Sequence, residues 1–306
     1  MTRPCLPPLP TLAAAAFRPP SGACDSHAHV FGPFVRHPLA VDRSYTPAEF
    51  DGAAFVAHLD QLGFTRGVLV TGSASGTDNG SVLEALRQYP DRLRGVVVPT
   101  SDTSDADLDR WHAAGVRAVR ANLYRLDGQA VYRNGVGLEV LESLAPRIAA
   151  RGWHAQIWVH APDLPELTPR LRKLGVPLVI DHMGRMSTKR GVRDPGFQHL
   201  RALLAEGVAW TKISGADRIT EEGPPYHDVD PFATAVLAAN PERVVWGSDW
   251  PHINYFEAGR MPDDGALCNL LARWAPRADL LQRVLVDNPA RLYGFPAETG
   301  NGAKGA

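Results

Sequence analysis

Short apolar runs rich in Val, Ile and Trp, closed by glycine, proline or polar residues, recur along the chain, and between them lie longer stretches with apolar positions at helical spacing. The runs predict strands over 24–30, 66–71, 94–100, 116–122, 154–160, 177–183, 208–215 and 243–249. The stretches between predict helices over roughly 49–62, 78–89, 104–113, 137–151, 163–174, 196–206, 230–239 and 266–285. Asp78, and Asp230 ahead of Pro231, stand where helix caps belong.

Eight strand and helix alternations with neither an internal repeat nor a linker predict an α/β chain folded as one (β/α)8 TIM barrel over 22–296. A doubly wound sheet is the competing topology. It ordinarily places a glycine-rich fingerprint after its first strand, whereas this first strand ends in His-Ala-His. The glycine-rich TGSASGTDNG at 71–80 matches neither GxGxxG nor a P-loop and reads as a strand-to-helix loop. Residues 1–21, interrupted by prolines, are expected as a mobile N-terminal arm, and 297–306 as a disordered C-terminal tail.

Charge narrows the partner. A formal net charge of −1 without blocks of one sign argues against nucleic acid or an anionic membrane and points to a small molecule. No apolar run reaches the roughly 20 residues of a membrane span. Three cysteines, far apart and odd in number, suggest a reducing, cytoplasmic setting and no disulfide framework. Oligomeric state is not legible.

In a barrel of this kind chemistry gathers at the carboxyl ends of the strands. There the sequence supplies His27 and His29, Ser73, Arg120 with Arg125 beyond, Trp158 and His160, His182 and Arg185, Ser214 and Arg218, and Asp249 followed by His252 and Asn254. Period-two geometry turns His27 and His29 to one side of the first strand and Ala28 to the other. A lone strand-end histidine is usually a hydrogen-bonded structural residue, but three histidines and an aspartate from the first, sixth and eighth strands meet at one mouth if the barrel closes. His37, His58, His112, His154, His199 and His227 lack that support and are read as structural or surface. Arg120, Arg125, Arg185 and Arg218 fall on the same rim, and guanidinium groups grip carboxylates in pairs, so the expected ligand is an organic polyanion. The chain holds 28 arginines and 4 lysines, and no lysine precedes Lys173, which removes the carboxylated lysine that bridges two metals on the fourth strand of many barrel hydrolases.

At DSHAHVFGP, IDHMGR, KISGADR, WGSDWPH and DNPARLYGF the chain resembles the amidohydrolase superfamily, and within it the 2-pyrone-4,6-dicarboxylate lactonases and related lactonases, over about residues 22–296. The resemblance implies reversible hydrolysis of a planar pyrone dicarboxylate to 4-oxalomesaconate, without a bound divalent metal, in bacterial breakdown of lignin-derived aromatics. It implies Asp249 as the base that activates water, and His27, His29 and His182 as the groups that polarise the lactone carbonyl. Arg120, Arg185 and Arg218 would hold the substrate carboxylates, with Tyr45, Ser73, His252 and Asn254 completing the pocket. Arg125 aligns across a one-residue gap. At the fifth strand the chain departs from the pattern, with Trp158 in place of a tyrosine and His160 two residues on. If His160 joins His27, His29 and Asp249, the mouth becomes a mononuclear zinc site with His182 as base, suited to a metal-dependent decarboxylase or hydrolase. A third reading is a barrel that binds aromatic acids without turning them over.

Overall fold

The computed structural model describes residues 2–126 and 128–296. Ten strands occur among them: β1 (Cys24–Ala28), β2 (Arg66–Val70), β3 (Leu93–Val97), β4 (Val116–Asn122), β5 (Arg125–Leu126), β6 (Gln129–Ala130), β7 (His154–Trp158), β8 (Leu178–Ile180), β9 (Ala209–Lys212) and β10 (Val244–Val245). Eight of them form a parallel sheet in the order β1-β2-β3-β4-β7-β8-β9-β10, and β5 and β6 form a small antiparallel ribbon set into the loop after β4. The sheet closes on itself: Ser26 N donates to Trp246 O at 2.8 Å and Asp249 N to His27 O at 2.9 Å. Each barrel strand is followed by a helix, from Gly52–Leu62 after β1 to Asp264–Trp274 after β10. This is the (β/α)8 barrel that the alternation predicts.

The helix-facing side of the strands joins the helices in one large apolar cluster that includes Ala28, Leu69, Val119 and Ile157. A fully buried Phe55 or Leu59 contributes about 1.5–3 kcal/mol to such a core. Inside the barrel, Cys24, Val68, Val70, Val96 and Ala118 close around Tyr293 and Phe295, so the segment after the helix Asn288–Tyr293 plugs one end. Toward the other end the interior turns polar, with Arg120, Gln156, Asp181 and Lys212 all buried.

Three expectations change in detail. The helix expected over 266–285 is broken at Pro276 into Asp264–Trp274 and Ala278–Gln282, because proline has no N–H to donate. Strands β8 and β10 stop short of 183 and 249, since the chain leaves extended geometry with φ of 50° at His182 and 69° at Asp249. Asp230 is the first residue of its helix instead of the cap, and its carboxylate receives Arg273 and Trp274 Nε1. The segment expected as a mobile arm lies along the barrel: Cys5 N donates to Thr46 O, Leu6 N to Tyr255 O, and Ala13 N to the Asp263 carboxylate. The expected tail at 297–306 falls outside the described residues. Among the described residues no helix is long and apolar enough to cross a membrane.

Candidate active site

Strand β1 and the residue just beyond it carry His27 and His29 to the barrel mouth. A register shift between Asp25 and Ala28 turns Ala28 to the helix side and leaves His27 and His29 inward. Gly247 makes room for this arrangement, since a Cβ there would lie 2.6 Å from that of His27. Asp25 ties the two strand ends together, accepting from His27 N at 3.1 Å, Ser248 N at 3.0 Å and Ser248 Oγ at 2.5 Å. Burial pushes its carboxyl up to about 7 against those donors. His182, Arg185, Asp249, His252 and Asn254 all hold positive φ. Left-handed backbone at non-glycine residues costs about 1–3 kcal/mol each and persists where the surroundings over-determine it, as the rims of functional sites do.

The three imidazoles converge on one carboxylate oxygen. Asp249 Oδ1 lies 3.4 Å from His29 Nε2, 3.6 Å from His27 Nε2 and 3.9 Å from His182 Nε2, while Asp249 Oδ2 receives Arg218 Nε at 3.3 Å. Burial opposes ionisation of Asp249, but the surrounding His182, His29, Arg218 and His27 outweigh it and hold the carboxyl well below the usual range. Burial pushes His182 down to about 4, and His27 well below its ordinary value. His29 donates from Nδ1 to Val70 O at 2.8 Å, because a carbonyl only accepts; it can therefore donate from Nε2 only as the imidazolium. His182 Nδ1 meets Ser214 Oγ at 2.8 Å.

Beneath the imidazoles lies a buried polar layer that the sequence reading did not assign. Lys212, fully buried on β9, places Nζ 2.8 Å from Gln156 Oε1, 3.0 Å from Ser26 O, 2.9 Å from His27 Nδ1 and 3.4 Å from Asp181 Oδ1. Asp181 Oδ2 also receives Arg120 at 3.1 Å and Gln156 Nε2 at 3.0 Å. Burial works against the Asp181 charge, but Lys212 and Arg120 beside it hold the carboxyl well below the usual carboxylate range. The available signal was a lysine inside the apolar run VAWTKISG, on the strand next to the barrel's closing edge.

A cavity opens above this layer, lined by His29, Tyr45, Ser73, Arg120, Trp158, His182, Arg185, Arg218 and Asp249, with Tyr132 and Ile253. Tyr45 and Ser73 touch through their hydroxyls at 3.4 Å. Arg120 is nearly enclosed, under Trp158 and against Asp181. Trp158 stacks on Tyr124 with ring centroids 5.0 Å apart, and its buried Nε1 has no hydrogen-bond partner. Tyr132, missed in the sequence because it sits in an irregular loop, brings a hydroxyl beside Trp158 and receives Asn254 Nδ2 at 2.5 Å.

Other expected residues do not reach the cavity. Arg125 is exposed on β5 and faces a lateral groove together with His160, so neither joins the histidine cluster; the ribbon after β4 carries Arg125 outward, and the His160 ring packs against Tyr124. His252 is buried behind the site, its Nε2 2.7 Å from Asp264 Oδ1. Asn254 lines an adjoining outer cavity with Tyr255 and Arg260.

His27, His29 and Asp249 are close enough together to surround a metal ion, as are His27, Asp181 and His182. Neither set includes His160. The Lys212 ammonium against His27 and the guanidiniums on Asp249 and Asp181 place positive charge beside both sets.

A family model described as amidohydrolase matches residues 24–295. A 2-pyrone-4,6-dicarboxylate hydrolase of Comamonas testosteroni is 40% identical over 291 residues, covering 92% of this chain and 93% of that one. A 4-sulfomuconolactone hydrolase of Rhizobium radiobacter is 39% identical over 297 residues, covering 95% and 96%. A crystal structure from Pseudomonas putida, described as a 2-pyrone-4,6-dicarboxylic acid hydrolase, superposes with a TM-score of 0.77 at 34% identity, covering 90% of this chain and 99% of that one.

Proposed function

The chain belongs to the amidohydrolase family and to its lactone hydrolases, and on that premise we propose that its substrate is an anionic lactone, with 2-pyrone-4,6-dicarboxylate first among the candidates. The observation that carries this reading is the charge of the cavity, where three guanidiniums (Arg120, Arg185 and Arg218) face one carboxylate, Asp249. With Lys212 beneath them, and with Asp181 and Asp217 counted beside Asp249, one positive charge is left over for the ligand. Arg185 is the freest of the three, because Arg120 already bonds Asp181 and Arg218 is held by Asp217 and Asp249.

In the proposed mechanism Asp249 takes a proton from water as the water oxygen bonds the lactone carbonyl carbon. The electron pair of the carbonyl moves onto its oxygen, where His27, His182 and the nearby guanidiniums stabilise it. Collapse of the tetrahedral intermediate breaks the bond to the ring oxygen, which leaves as an enolate from a pyrone and takes up the proton. No metal is required in this scheme, because ring opening that releases an enolate is undemanding and donor groups already surround the carbonyl. The Trp158 and Tyr132 rings, tilted 41° to one another, offer aromatic surface to a planar substrate.

The test is direct. Purified protein mixed with 2-pyrone-4,6-dicarboxylate should bleach the pyrone's ultraviolet absorbance and yield the ring-opened acid. A sulfonated muconolactone and a sugar-acid lactone form the comparison arms, since guanidiniums also grip a sulfonate. Tight binding of these acids with no turnover of any lactone would replace the hydrolase reading by that of a binding barrel.

A further inference from the structure

His27 has two competing neighbours on Nδ1. Asp181 Oδ1 lies 3.4 Å away and would draw a hydrogen onto that nitrogen, leaving Nε2 with its lone pair toward Asp249. Lys212 Nζ lies closer, at 2.9 Å, and would do the reverse. The two arrangements make opposite tools of the same imidazole. With hydrogen on Nδ1, His27 is a base or a metal ligand; with hydrogen on Nε2, it is a donor.

We propose that Lys212 is a positioning residue that fixes His27 as the Nε2–H tautomer, so that the first histidine of the motif faces the reacting carbonyl as a hydrogen-bond donor. The surroundings of Nζ support an ammonium in this role. Its three N–H bonds have three acceptors within 3.0 Å, namely Ser26 O, Gln156 Oε1 and His27 Nδ1, and two of these are oxygens that can only accept. Gln156 is itself oriented by donating Nε2 to Asp181 Oδ2, which leaves Oε1 for the lysine. Asp181 provides the countercharge: its Oδ2 is engaged by Arg120 and Gln156, and its Oδ1, without a hydrogen bond, lies 3.4 Å from both Lys212 Nζ and His27 Nδ1, farther from each than the 2.9 Å between them. His27 Nε2, buried and without a hydrogen-bond partner, is thereby a donor held ready 3.6 Å from Asp249 Oδ1, where the carbonyl oxygen of a bound lactone would claim it.

The tautomer is independent of the substrate, while its consequence for rate rests on the lactone reading above. Nitrogen-15 NMR of histidine-labelled wild-type protein, without ligand, reads which His27 nitrogen carries the hydrogen. Hydrogen on Nε2 is expected, and hydrogen on Nδ1 would overturn the assignment. This measurement is made on the unaltered protein and stands even if every lactone proves inert, so the two readings fail separately. In Lys212→Met the hydrogen should move to Nδ1 against Asp181, with kcat falling about ten- to a hundredfold, somewhat less than the loss of a direct oxyanion donor, and KM little changed. A variant that keeps the Nε2–H tautomer, or one that changes tautomer with kcat intact, would refute the positioning role. Assignment of the His27 resonance by its absence in His27→Asn keeps the reading specific.

Discussion

Arg218 and the imidazoles take opposite oxygens of Asp249. The guanidinium Nε sits 3.3 Å from Oδ2, and all three histidine Nε2 atoms face Oδ1. One oxygen is therefore committed to holding the carboxylate in place and the other is turned to the cavity, where a base has to be. Asp249→Asn keeps the size and the Arg218 side of the arrangement in part, but removes the base. Turnover is expected to fall by roughly two to four powers of ten with substrate binding retained, as read by steady-state kinetics and by calorimetric titration. A variant that turns over normally would rule out Asp249 as the base.

Arg185 and Arg120 should respond differently to removal, although both line the cavity. Arg185 is half-buried, donates to Arg218 O and lies over Tyr124. Arg185→Met should raise KM about ten- to a hundredfold by leaving a substrate anion short of a charge-assisted hydrogen bond, with the melting temperature little changed. Arg120→Met instead strips a partner from buried Asp181, and should lower the stability of the whole barrel by about 3–5 kcal/mol. Kinetics alone would confuse the two. Paired thermal melts separate them, and equal melting temperatures in the two variants would contradict the Asp181 contact.

The barrel was legible because its signal is local. Eight β-branched runs, each followed by a helical period, survive without any knowledge of what packs on what. The convergence of His27, His29, His182 and Asp249 followed from their places at strand ends once closure was assumed. What escaped depends on distance across the barrel. Lys212 and Asp181 are separated by 31 residues and meet only inside the sheet, and a single lysine in an apolar run does not announce its partners. Tyr132 and the outward turn of Arg125 were hidden for a different reason. Both belong to the irregular excursion after β4, where no period constrains the direction of a side chain. The motif DNPARLYGF was carried only as a family resemblance, yet its physical role is plain: Asn288 Nδ2 donates to Val244 O at 2.7 Å, and Tyr293 and Phe295 fill the barrel's closed end.

Acid should unfold the protein through its buried imidazoles. His182 is pushed down to about 4 and His154 to about 3, both by burial, with His27 displaced in the same direction. Between those values and 6.5 the unfolded chain binds protons that the native state refuses, so stability rises with pH across that window. Asp25, raised to about 7, acts in the opposite sense over 3.8 to 7, but it is one group against three. Urea unfolding at pH 4.5 and 5.5 should therefore show a clear gain at the higher pH. Replacing His154, which is remote from the cavity and packs on Tyr293, by Gln should reduce that gain by about 1.4 kcal/mol. An unchanged difference would show that His154 is not buried in its neutral form.

Metal dependence follows from the charges around Asp249 and His27. A divalent ion among His27, His29 and Asp249 would have to displace Arg218 from Oδ2 or lie within reach of it, and would face the Lys212 ammonium through the His27 ring. Like charges in a buried site repel strongly, since little solvent is present to screen them. Elemental analysis of purified protein should accordingly find less than one equivalent of zinc, manganese or iron. Activity should survive prolonged chelation and remain unaltered on adding zinc. One tightly held equivalent whose removal abolishes turnover would require the lysine to be neutral and the histidine pair to present lone pairs. The same result would refute the donor role assigned to His27 and restore the mononuclear reading on a three-residue ligand set that excludes His160.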